Sequence, residues 1–245
     1  MKSRLKLLAF AVALGSFSGL WAKENANTPG SSNSTASPAP KNIGASCAPA
    51  SAQTDLAVNN VRTRILAGGD MWWDLNNGIY EIPRESNKHS LFAGALWIGG
   101  QDEGDQLKVA AMTYRQDGSD YWPGPLDAAT AAVDDIICAE YDQHYQITRQ
   151  QVEDYVAWLN GTLDDPNYSV PTVILEWPGN YPDTYSQFGA EPLAPFFDAD
   201  GDGFYDPAAG DYPAYDLSGE ADCQGADLLF GDQNLWWVFN DKGNI

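Results

Sequence analysis

The feature that most restricts this fold is how often short apolar runs are cut by turn residues. Met71-Trp-Trp-Asp-Leu75 is followed by Asn76-Asn77-Gly78 and then by Ile79-Tyr-Glu-Ile82 before Pro83. An Asn-Gly pair readily supplies the positive φ angles of a tight two-residue turn, so this stretch predicts a β-hairpin. Ser90–Ile98 is a nearly continuous apolar run bounded by Gly99-Gly100, which predicts a strand buried on both faces. Leu107–Tyr114 should pair with it across the polar turn Gly100–Gln106, and Leu56–Leu66 and Val170–Trp177 read as further strands. One helix stands out. Thr148 and Gln151 form a capping box, Val152, Tyr155, Val156 and Leu159 follow at helical spacing, and Gly161 marks the stop. The expected fold is therefore mainly β, with sandwich-like antiparallel sheets, one clear α-helix and a loop-rich, calcium-binding region over residues 178–230.

The N-terminus has the three-part pattern of a secretory signal over residues 1–22: Lys2, Arg4 and Lys6, then the apolar Leu7–Leu14, then Leu20-Trp21-Ala22 as a cleavage site. Residues 23–53 are rich in Ser, Asn, Ala and Pro and read as a disordered linker, which places the folded domain at 54–245. Of 13 Lys+Arg and 34 Asp+Glu, the leader holds three cations and no acid, leaving 10 cations against 34 acids, net −24. So acidic a surface repels nucleic acid and anionic lipid. With 44% hydrophobic and 12% aromatic residues the chain can still pack a core. No later stretch is apolar enough to span a membrane once the leader is gone. Three cysteines remain, Cys47, Cys138 and Cys223; an exported chain can oxidise two of them, and because Cys47 falls in the linker the expected pair is Cys138–Cys223.

The sharpest chemical signal is Phe197-Asp198-Ala-Asp200-Gly-Asp202-Gly203-Phe204-Tyr-Asp206-Pro207. Calcium takes six to eight oxygens, and carboxylates at alternate positions converge when the chain turns tightly at a glycine. Asp198, Asp200 and Asp202, the carbonyl of Phe204, and Asp206 supply most of a shell. The bidentate acid that would close an EF-hand loop is replaced by Ala209, so Asp211 is the candidate for the missing carboxylate. No helical pattern flanks the loop, which predicts a structural Ca2+ site rather than a switch. Clustered carboxylates repel one another unless a cation lies among them.

Other chemistry finds less support. Gly-x-Ser-x-Gly and phosphate-binding glycine loops are missing, so no catalytic residue is assigned and the chain reads as a non-enzyme. Glu140, Asp142 and His144 fit a solvated turn better than a metal or acid–base cluster, and His89 stands alone in the sequence. The adjacent pairs Trp72/Trp73 and Trp236/Trp237 would each show one ring outward from a strand, a possible ligand platform for sugars. Gly69-Asp70…Trp72-Trp73…Asn76-Asn77-Gly78-Ile79 is echoed by Gly231-Asp232…Trp236-Trp237…Asn240-Asp241-Lys-Gly243-Asn-Ile245, a candidate internal repeat.

Val61-Arg-Thr-Arg-Ile with Gly69-Asp70, Lys88-His-Ser-Leu-Phe-Ala-Gly-Ala-Leu-Trp-Ile-Gly-Gly, Ala111-Met-Thr-Tyr-Arg, Trp122-Pro-Gly-Pro-Leu and Gly231-Asp232…Trp236-Trp-Val-Phe-Asn-Asp resemble the N-terminal region of large secreted Bacteroidota proteins that usually end in a type IX secretion sorting domain. The resemblance covers roughly residues 55–245. It implies a secreted or outer cell-surface location and a longer parent protein. The strand-like Leu235–Phe239 followed by a turn likewise predicts that the chain is a fragment. The expected role is a non-enzymatic structural or adhesive module stabilised by calcium, with glycans or other surface proteins as partners. The alternative is a carbohydrate-binding module or the ancillary domain of a secreted glycoside hydrolase.

Overall fold

In a computed structural model, residues 47–101, 103–112, 120–127, 129–182, 192–218 and 228–242 are described. The frequent turn residues leave strands of two to five residues. In chain order they are β1 (Gln53–Leu56), β2 (Arg62–Leu66), β3 (Asp70–Met71), β4 (Tyr80–Glu81), β5 (His89–Leu91), β6 (Gly94–Ala95), β7 (Trp97–Gln101), β8 (Leu107–Ala111) and β9 (Trp122–Pro123). Then come α1 (Asp135–Glu140), β10 (Tyr145–Thr148), α2 (Arg149–Leu159), α3 (Thr172–Leu175), β11 (Phe196–Phe197), β12 (Tyr212–Pro213), β13 (Gln233–Trp236) and β14 (Phe239–Asn240). The fold is mainly β and its strand pairs are antiparallel. A six-stranded sheet is organised on β2, which pairs with β1, β3 and β4, while β5 and β6 extend it. Four two-stranded pairs, β7–β8, β9–β14, β10–β13 and β11–β12, make up the rest.

The helix forms where the spacing placed it. Thr148 caps α2, its side chain accepting from the Gln151 N–H while the Gln151 side chain accepts from the Thr148 N–H. Val152 and Tyr155 face inward, and Asn160 and Gly161 end the helix. They join Ile147, Ile174, Trp177, Ala194, Tyr215 and Leu229 in the largest buried cluster. Ile147, Val152 and Ile174 are each 0% exposed, and burying one such side chain stabilises by about 1.5–3 kcal/mol. A second cluster surrounds Val133, Ile137, Cys138 and Tyr141, and a third joins Ala110, Met112 and Tyr121.

Four expectations are corrected. The Asn-Gly turn does close a narrow link, with Trp73 bridging Gly78, but neither Asn77 nor Gly78 takes positive φ. Asp74 shapes the turn instead, accepting the N–H groups of Asn76 and Asn77, and the positive φ falls on Leu75. Gly78 is needed for a close approach, because a Cβ there would lie 2.9 Å from the Leu91 carbonyl oxygen. Second, Ser90–Ile98 is not one buried strand. It is divided among β5, β6 and β7, each with a different partner, and Trp97 and Ile98 are 70% and 50% exposed. A hairpin does form, but only Trp97 and Ile98 of the run belong to it; Gly100 and Gln101, expected in the turn, pair with Lys108 and Leu107.

Third, Val170–Trp177 contains the helical turn α3 rather than a strand. Pro171 starts it with φ fixed near −57°, and the Ile174 and Leu175 N–H groups donate to the Pro171 carbonyl. A short apolar run is ambiguous between strand and buried helix, and the proline decides it. Fourth, the disulfide joins Cys47 to Cys138, with Cα atoms 5.6 Å apart, and not Cys138 to Cys223. Cys223 lies outside the described residues. The supposed linker is therefore part of the fold from Cys47 onward. Asp142 reinforces this, accepting from the Ser51 N–H and hydroxyl and from the Ala52 N–H. Residues 1–22, expected to be a signal segment, the remainder of the expected linker and residues 243–245 lie outside the described residues, and among those described no helix is long and apolar enough to cross a membrane.

Candidate metal centre

Residues 198–211 form a loop whose stem is closed by β11 and β12, with Phe197 opposite Tyr212 and their rings stacked at 4.8 Å. Aspartates dominate its turns because a short carboxylate can accept from N–H groups two to five residues ahead. Asp198 accepts from Gly201 and Gly203, Asp200 from Asp202, and Asp202 from Phe204. Gly203 sits at φ +81°, a conformation that side chains disfavour, and so allows the chain to fold back over Asp198. The result brings one carboxylate oxygen from each of Asp198, Asp200 and Asp202 within 4.8 Å of one another.

The electrostatics differ across the three. The Gly203 N–H, aided by that of Gly201, holds the Asp198 carboxyl below its ordinary range. At Asp200 the Asp202 N–H pulls downward, but desolvation and the carboxylates of Asp202, Asp198 and Asp211 outweigh it and push the value up. Such repulsion is relieved by a cation. Hard carboxylate oxygens on an exposed loop are donors suited to Ca2+, and Phe204, whose carbonyl was the fourth expected ligand, follows directly.

Asp206 and Asp211 do different work. Asp206 accepts from Ala208 and starts a single 3-10 turn, Pro207–Ala209. Asp211 is 0% exposed, and its two oxygens accept from the Ala199 and Asp206 N–H groups, tying the loop's entry to its exit. Asn180 and Tyr155, outside the motif, and Tyr205, within it, finish the clamp. The Asn180 side chain donates to the Gly203 carbonyl and accepts from the Tyr205 N–H. The Tyr205 hydroxyl donates to Ile174 and the Tyr155 hydroxyl to Pro207, each at 2.5 Å, and burial raises both phenols above their ordinary value. Reading the motif alone gave Tyr205 no role and missed Asn180 and Tyr155, which lie up to 52 residues from what they hold. No local pattern could have marked them.

Of the tryptophans named as a ligand platform, Trp73 faces inward while Trp72, Trp236 and Trp237 are partly exposed. Trp73 is 2% exposed, its indole N–H donating to Asp70, and Trp72 packs edge-on against Tyr80. Trp236 is half-buried between Tyr145 and Trp177, and Trp237 stacks on Phe239. The two echoed segments share a positive-φ glycine before the aspartate, Gly69 and Gly231, yet β3 joins the large sheet while β13 pairs with β10. His144 is not in a solvated turn. It meets the Thr54 hydroxyl through Nδ1 at 2.9 Å and lies edge-on to Trp237, and burial lowers its pKa from 6.5 to about 4. No family model, curated protein or solved structure matches this chain.

Proposed function

We propose that this chain is a non-enzymatic extracellular or cell-surface module, structural or adhesive in role, whose loop region is stabilised by Ca2+. The observation that carries the reading is the convergence of Asp198, Asp200 and Asp202 on a loop held from behind by Asp211, Asn180 and Tyr205. Backbone N–H groups of the loop hold the three carboxylates in a shared space, in which they repel one another. Asp198, Asp200, Asp202 and the Phe204 carbonyl would hold the ion, and Asp211 would position the loop ends. Placement outside the cytoplasm is supported by the leader-like N-terminus and by the Cys47–Cys138 disulfide, a bond that persists in oxidising compartments.

The test is thermal unfolding of the whole chain in millimolar calcium and in chelator. A ligand at about a hundred times its dissociation constant stabilises by about 2.7 kcal/mol, so calcium should raise the melting temperature by several degrees. Asp200→Asn combined with Asp202→Asn should abolish that response and leave the circular dichroism of the fold intact. Identical melting curves with and without calcium would sink the metal reading.

A further inference from the structure

The large sheet carries a second constellation, made of residues far from the aspartate loop in sequence. Arg62 on β2 stands opposite Glu81 on β4, and Glu81 stands opposite His89 on β5. Side chains directly opposite on neighbouring strands share a face, so guanidinium, carboxylate and imidazole form one row across three strands. The pairing passes from Tyr80–Leu91 to Glu81–His89 with Ser90 as the extra residue, a bulge of the kind that re-aims side chains beside binding sites. The three residues line an open cleft of about 680 Å³, together with Asn77, Leu91 and Phe92. Small-ligand clefts span roughly 300–1,000 Å³.

Glu81 is only 4% exposed. One of its oxygens accepts from the Asn87 N–H, while Oε2 has no hydrogen-bond donor among the described residues and lies 3.9 Å from Arg62 Nε. Asp55 approaches the same nitrogen at 3.4 Å. Both carboxylates thus lie within ion-pair distance of the guanidinium, and the Arg62 side chain, 37% exposed, lines the cleft. Its charge is already matched, and Asp74 adds a further acid to the wall. An anionic ligand gains nothing there from a chain of net charge −21. Leu91 and Phe92, 40% and 48% exposed, supply an apolar flank.

We propose that this cleft binds a neutral, polyhydroxylated ligand, a segment of glycan. Its hydroxyls accept from Arg62 and His89 and exchange hydrogen bonds with the Asn77 amide, while one sugar face lies on Phe92. Glu81 and Asp55 are positioning residues that hold the guanidinium. The proposal deepens the adhesive reading by naming what is held, and it uses none of the aspartate loop. The whole chain is applied to an array of neutral oligosaccharides and matched uronate-containing ones, and hits are titrated by calorimetry. Neutral glycans should bind. His89→Ala, at an exposed position, and Arg62→Lys, which keeps the charge but loses the fork, should each weaken binding about tenfold or more. Asp200→Asn with Asp202→Asn should leave it unchanged. Silence across the array, binding confined to uronates, or wild-type affinity in His89→Ala overturns the glycan cleft. A calcium-dependent melting curve would then still support the module reading.

Discussion

The loop 198–211 and the hairpin of β7 and β8 are opposites in sequence, and their environments are reversed. The loop is polar, acidic and irregular, yet buried and half-buried groups fix it at several points: Asp211 ties its ends, Asn180 holds Gly203 and Tyr205, the Tyr205 hydroxyl reaches Ile174 and the Tyr155 hydroxyl reaches Pro207. The hairpin is apolar and regular, with five paired residues per strand, yet Trp97, Ile98, Leu107 and Val109 are 70%, 50%, 72% and 48% exposed. Order in this protein follows anchoring contacts more closely than local apolarity. The polar stretch at Cys47–Thr54 repeats the lesson, being tied by a disulfide, by Asp142 and by His144.

The comparison breaks first at its covalent anchor. Cys47→Ser with Cys138→Ser opens a loop closed over a sequence separation of 91, and the chain-entropy cost of losing it is about 4.6 kcal/mol. Urea unfolding should show that loss, and a change under 1 kcal/mol would mean that Cys47–Thr54 is held adequately by hydrogen bonds alone.

Asp211→Ala should follow. It removes the buried, charged acceptor of the Ala199 and Asp206 N–H groups, at about 3 kcal/mol for the two bonds. Hydrogen exchange should accelerate across 198–211 while α2 stays protected. Uniform loss of protection would show that the loop and the main cluster are one cooperative unit.

The third test uses pH. The folded pKa of His144, about 4, lies below its ordinary 6.5 because burial disfavours the charged ring. The unfolded chain therefore binds the proton more readily. The stabilisation is full above about pH 6.5 and is lost as pH falls toward 4. Discounted for partial exposure, the loss is about 2 kcal/mol. Asp198, Asp74, Glu81 and Asp127, all lowered in the fold, add their losses only as pH falls below about 4. His144→Gln should flatten the stability profile between pH 6.5 and 4; an unchanged slope there removes His144 from the anchoring set.

The smallest effect belongs to the hairpin. Leu107→Ser and Ile98→Ala should each change stability by less than about 0.5 kcal/mol, as at other exposed positions. A loss of 2 kcal/mol in either would show the hairpin covered in solution, and the contrast between the two regions would disappear.

What the sequence determined by itself was local. The capping box at Thr148 and Gln151, the existence of a hairpin between the apolar run ending at Ile98 and the strand from Leu107, and the clustering of Asp198, Asp200 and Asp202 all depend on residues within a few positions of one another, where backbone geometry leaves few options. Tertiary structure decided everything that needed a distant partner. It chose Cys47 over Cys223 for Cys138 and gave Asp211 two backbone N–H groups instead of a place in the aspartate cluster. It buried Trp73 while exposing Trp97, and set His89 beside Glu81 and Arg62. The physical reason is that burial and cross-strand proximity belong to pairs of segments. A run of apolar residues states that it can be covered, and only the packed chain states whether anything covers it.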